Sequence, residues 1–149
     1  MPRYAFQLRG WHAIVGVVLL IGYWGISAYG RVRTVDGGMR DSIRQYLLNE
    51  YSGRGPKDVQ RILMEAHNGQ PVEKLPEVQQ RDVEFPSVSA VGKYGGPFEV
   101  VRVQNTVDGG QPPEGAALRY FRVEYVAAGR WLVIGQSDSY GYYSELLPW

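Results

Sequence analysis

The hydrophobic pattern divides the chain into two parts that obey different rules. WHAIVGVVLLIGYWGISAYG, from Trp11 to Gly30, contains no Asp, Glu, Lys or Arg and lies between Arg9 and Arg31. Wound as a helix at about 1.5 Å per residue, these twenty residues reach roughly 30 Å, the thickness of a bilayer's hydrocarbon core. A core helix of a small soluble domain is shorter and shows a polar face. Trp11 sits at one end of the stretch and Trp24 and Tyr29 toward the other, as rings anchored at two membrane interfaces do. The stretch therefore predicts a transmembrane helix over 11–30, behind a basic leader over 1–10.

Beyond Arg31 the pattern becomes amphipathic. MRDSIRQYLLNEY places Met39, Ile43, Tyr46, Leu47 and Tyr51 at helical spacing and ends at Ser52-Gly53. Pro56 suits a first helical position, Val59, Ile62, Leu63 and Ala66 repeat at three and four, and Asn68-Gly69 stops the run. QPVEKLPEVQQ reads as a polar connection. From Asp82 the period shortens to two: VEFPSVSAV, FEVVRVQNTV, ALRYFRVEYV and RWLVIGQSDSY have strand composition and are separated by KYGGP, DGGQPPEG and AAG. Phe121, Val123 and Tyr125 fall on one face of the third, Tyr120, Arg122 and Glu124 on the other. Pro86 demotes the first to an edge. The prediction is an α+β domain over 39–149, two helices packed on a four-stranded antiparallel sheet, joined to the span by a linker over 31–38. TVDGG occurs at Thr34–Gly38 and again at Thr106–Gly110. Asp-Gly is a common way to turn a chain, so the first copy reads as a loosening of the anchor and the second as the opening of a hairpin loop.

Charge and composition narrow the function classes. The chain of 149 residues has a formal charge of +1, of which Arg3, Arg9, Arg31 and Arg33 precede the first carboxylate, Asp36. The remaining 12 basic and 15 acidic side chains form no basic stripe, so no nucleic acid is expected as a partner. There is no cysteine, which excludes disulfides, thiolate metal sites and cysteine nucleophiles. The two histidines, His12 and His67, lie in different segments and leave little for histidine chemistry. No cofactor and no metal are expected.

A basic leader and the small pair Ser27-Ala28 also fit a cleaved signal. The length of the apolar run and the Tyr and Trp residues around the cut favour a retained anchor. Arg31, Arg33, Arg40 and Arg44 outnumber Arg3 and Arg9, which argues for a cytoplasmic domain. Long domains, however, translocate largely regardless of charge, and the side is left open with a lean to the extracytoplasmic face.

Two helices followed by antiparallel strands, with a late GRWLVIGQSDS strand, resemble the NTF2-like superfamily, whose last strands carry a similar Gly-x-Trp; here it is Gly129 to Trp131. One membrane helix before such a domain resembles the VirB8-like assembly proteins of bacterial secretion systems. The resemblance implies either an assembly role or an anchored domain that binds or converts a small apolar ligand, with Asp138 and Tyr140, Tyr142 and Tyr143 near its pocket. Read as residues, terminal tyrosines cover the end of a sheet. GRGPKD, Gly53 to Asp58, is a glycine-rich turn into a helix with an anion-binding shape but without phosphate-loop spacing. His12 is a candidate ligand for a haem or pigment metal.

On a helical wheel Ala13, Gly16 and Ser27 share a line, with Tyr23 beside them, and small residues let a second helix approach closely in lipid. Leu146, Leu147 and Trp149 are apolar at the end of the sequence and are expected to dock, on their own domain or on a partner. Together these residues predict a non-catalytic, single-pass accessory or assembly subunit whose partners are the lipid bilayer and other integral membrane subunits.

Overall fold

The computed structural model describes residues 10–93, 96–113 and 117–147. The apolar stretch is helix α1, Gly10–Arg31, and none of its residues is buried. With a mean hydropathy of 1.7 it is long and apolar enough to cross a membrane.

No loop follows α1. Val32–Arg33 continue at once as strand β1 and pair antiparallel with the next strand, Val32 opposite Val91 and Arg33 opposite Ala90. The sheet therefore has five strands and not the four expected. A two-residue strand is too short to show a period of two, and only its partner reveals it.

Helix α2, Gly37–Tyr51, starts ahead of Met39 because Asp36 caps it: Asp36 Oδ1 accepts from the Met39 N–H at 2.8 Å. The other carboxylate oxygen accepts from Trp131 Nε1 at 3.1 Å, which fixes the helix start to the last strand. The first TVDGG thus ties the segment down, where a loosening was expected. Along α2, Met39, Ile43 and Leu47 are fully buried against Val101, Val103, Phe121 and Val123. Burial of each such side chain stabilises by about 1.5–3 kcal/mol. Tyr46 meets Phe121 edge-on at 5.5 Å.

Helix α3, Pro56–His67, has no buried residue. It was expected to pack on the sheet beside α2. Instead α2 alone covers that face, and α3 lies outside it, joined back by Gln79, whose N–H donates to Ser52 Oγ at 2.9 Å.

The other four strands are β2 (Val83–Gly92), β3 (Phe98–Val107), β4 (Leu118–Ala127) and β5 (Arg130–Ser137), in the order β1-β2-β3-β4-β5 with every pairing antiparallel. Pro86 does not make β2 an edge strand, because β1 covers its far end. β1 reaches only Val91 and Ala90, however, and Pro86 sits at an irregularity between Glu84 and Ser87, where no neighbour asks for its missing N–H. Phe121 and Val123 face α2 as expected, and Tyr125 packs edge-on with Trp131 at 5.1 Å. The β4–β5 turn holds Ala128 at φ 49° and Gly129 at φ 75°, the left-handed pair of a tight hairpin turn.

A fourth helix, α4 (Ser139–Ser144), was not foreseen. Asp138 caps it, accepting from the Gly141 N–H at 2.7 Å. Its Tyr142 is buried on the sheet face away from α2, with Val91 and Val100.

Candidate functional site

The residues with candidate chemistry have structural work to do. Asp138 is the helix cap of α4, and the Tyr142 hydroxyl shares a 2.8 Å hydrogen bond with Ser89 Oγ while its ring lies 5.8 Å from that of Tyr120. Tyr140 and Tyr143 stay exposed. In GRGPKD, Asp58 Oδ2 accepts from the Gly55 N–H at 3.2 Å, so the helix start already holds a carboxylate from its own chain. His12 lies exposed on α1 and His67 ends α3. Among the described residues no group of three His, Cys, Asp or Glu comes together as a metal site.

A polar cluster that the sequence reading missed joins the last turn of α2 to the sheet. Arg119 Nη2 donates to Glu50 Oε1 and Oε2, both at 3.0 Å, and its guanidinium lies 5.3 Å from the Phe121 ring centroid. Next to it, Asn105 Nδ2 donates to the Tyr51 hydroxyl at 2.7 Å. Burial works against the charge of Arg119, and hydrogen bonds and attraction from Glu50 and Tyr51 more than offset it, so its pKa lies above the usual range. The signal in the sequence was slight: an Asn inside the apolar run of β3 and an Arg beside the aromatic pair Tyr120-Phe121. The cluster holds α2 to β3 and β4. It leaves no open pocket, since Asn105 is fully buried.

The core between α2 and the sheet is filled, with Phe121, Met39, Ile43 and Leu47 showing no exposure. Two open grooves lie outside α2. One, of about 490 Å³, runs between α2 and α3 and is lined by Tyr46, Asn49, Pro56, Val59 and Leu63 among others. The second, of about 390 Å³, lies between α2 and β5, with Ser42, Gln45, Trp131 and Val133 on its walls. Asp138 and the tyrosines of α4 reach neither groove.

The predicted interaction residues do not form one site. Ala13 and Tyr23 are exposed and Gly16 and Ser27 half-buried on α1. With Leu20 and Gly30 they follow one another at alternating steps of three and four, the spacing of a helix-pairing seam. A Cβ built on Gly16 would meet nothing within 4 Å. Leu146 packs on the Val91, Val100 and Tyr142 cluster of its own domain, and Leu147 is half-buried. Trp149 lies outside the described residues. Just before these leucines, the Glu145 carbonyl accepts from Arg31 Nη1 at 3.0 Å, so the segment after α4 meets the end of α1.

The feature that sequence placed in the wrong surroundings is α3. Val59, Leu63, Met64 and Ala66 are exposed and Ile62 only half-buried, Leu63 to 65% of its full surface. Its apolar stripe, spaced as a core stripe would be, covers no core among the described residues.

No protein-family model matches the chain, and no curated protein and no solved structure matches it. Nothing in these comparisons identifies the domain as NTF2-like or VirB8-like.

Proposed function

We propose that this chain is a single-pass, membrane-anchored accessory or assembly subunit of a larger membrane protein complex, with no catalysis of its own. The observation that carries this reading is the unpartnered stripe of α3. A strongly amphipathic helix normally draws its stability from burying one face, and this one has no buried residue among the described residues. A contiguous apolar patch on a domain surface marks an interaction site. The α1 seam of Ala13, Gly16, Tyr23 and Ser27 supports the same reading within the lipid, where close helix approach replaces the hydrophobic drive. The filled core speaks against the alternative, an anchored domain that binds or converts a small apolar ligand, because such a ligand needs a cavity between sheet and helix.

The test is gentle detergent extraction of the full-length chain from its native membrane, with intact mass and partner stoichiometry measured. The expected result is an uncleaved chain in a defined complex. Val59→Asp with Leu63→Asp should release a partner and leave the fold intact, since neither side chain is buried in the domain. A solitary, monodisperse full-length chain overturns the proposal, and so does a shortened chain in the soluble fraction.

A further inference from the structure

The register of β1 fixes which end of the sheet adjoins the anchor. β2 runs from Val83 to Gly92, and β1 pairs antiparallel with its last residues, Val32 with Val91 and Arg33 with Ala90. The chain that precedes Val32 therefore lies at the Gly92 end, and α1, with no buried residue, leaves the sheet there. The same end carries the β2–β3 and β4–β5 turns. α3 is at the other end, because the last turn of α2 is held by Arg119 at the start of β4 and by Asn105 near the end of β3.

The end beside the anchor has an unusual surface. Phe98 pairs with Glu124 and Glu124 with Leu132, so Phe98 and Leu132 share the sheet face away from α2, and Val126 sits nearer the tip, at the irregularity between Tyr125 and Ala127. All three are exposed, Val126 to 62%. The turn beyond them is Ala127, Ala128, Gly129 and Arg130. A water-facing turn of this type favours Asn or Asp where Ala128 stands at φ 49°. The segments KYGGPF and YVAAGRWL contain no carboxylate and carry Lys93 and Arg130. Arg122 lies on the same face, its guanidinium 4.9 Å from the Phe98 ring centroid. Carboxylates also stand near this end: Glu124 is half-buried between Phe98 and Leu132, Asp36 caps α2, Glu99 is half-buried opposite Gly92, Asp41 pairs with Arg44, and Glu145 follows α4 where Arg31 meets it. At the far end, Asp82, Asp108 and Asp138 begin or follow strands. Apolar side chains interleaved with cations suit the boundary between acyl chains and anionic headgroups.

We infer that the rim formed by Phe98, Val126, Ala127, Ala128 and Leu132, with Lys93, Arg122 and Arg130 among them, rests in the bilayer interface beside α1. The inference depends on the single-pass reading, and its occupant is the lipid surface. It places α3 away from the membrane.

The chain has no cysteine, so single labelling sites need no background removal. The full-length variants Val126→Cys, Leu20→Cys and Leu63→Cys, each carrying an environment-sensitive fluorophore, are reconstituted in vesicles of phosphatidylcholine and phosphatidylglycerol with spin-labelled lipids as quenchers. Shallow quencher should reduce emission at position 126 several-fold more than at position 63, and deep quencher should act at position 20. Quenching at 20 with position 126 as unaffected as 63 overturns the inference and leaves the anchor standing. A label at 126 that reports an apolar setting without lipid quenching also overturns it, in favour of a protein contact. No quenching at position 20 removes the membrane reading itself.

Discussion

Ala128 occupies left-handed backbone space, which costs an L-residue with a Cβ about 1–2 kcal/mol. Ala128→Gly removes that cost and adds some unfolded-state entropy. The expected net gain is about 0.5–1 kcal/mol, read as a raised midpoint in denaturant unfolding. Glu99 gives a pH-dependent counterpart. Its Oε2 is buried without a hydrogen-bond partner, and it lies so close to Gly92 that a Cβ there would come within 2.8 Å of its Cγ. Burial raises its pKa above the ordinary 4.5, against a downward pull from Arg33 and with an upward push from Asp36. In the window between 4.5 and that raised value the folded state keeps a proton that the unfolded state has lost. Stability therefore falls as pH climbs through the window and is level above it, as far as this group decides. Glu99→Gln should abolish this slope, so that the variant gains on the parent as pH rises from 4.5 toward neutrality in paired denaturation curves. At this scale sequence named residue types better than roles. Asp138, a candidate proton-transfer group, caps a helix of six residues that the pattern did not announce.

Helices α2 and α3 show what the pattern of an element does and does not contain. Both have apolar residues at three- and four-residue spacing, and both were legible as helices with their stops, though not with their caps. Periodicity identifies a face that must be covered but says nothing about which chain covers it. For α2 the cover is Phe121, Val101 and Val123 of its own sheet. For α3 there is none among the described residues. The four long strands were likewise readable from their alternation and from the turns between them, whereas β1 consists of two residues that only their partner explains. The link between α2 and the sheet also depends on the Glu50–Arg119 pair, contributed by residues far apart in sequence. Arg119→Met leaves the half-exposed Glu50 without its partner, and unfolding should become easier by about 1–3 kcal/mol. In a double-mutant cycle Glu50→Gln should recover part of that loss, and additive effects would show that the pair contributes nothing to α2 docking.

The whole molecule has two unlike ends. α1, the apolar turns and their cations lie at one, and α3 lies at the other. The twenty-residue apolar run was plain in the sequence, and its helix is long and apolar enough to cross a membrane. The polarity of the domain was hidden, since it depends on the register of Val32 against Val91.

The direct passage from Arg31 into β1, clamped by the Arg31 hydrogen bond to the Glu145 carbonyl, has a thermodynamic corollary. A flexible tether dilutes a second binding event, because the chain must find its site again from a large volume. Here α1 and the sheet are continuous, so on the proposed assembly reading the α1 seam and the α3 stripe are presented together by one connected chain. For the proposed partner, with two sites at the matching distance, the first contact would present the second at high effective concentration, and two weak surfaces would combine into one tight hold. A partner with any other spacing receives no such advantage. Selectivity among membrane complexes would then reside in a length, independent of the chemistry of either surface.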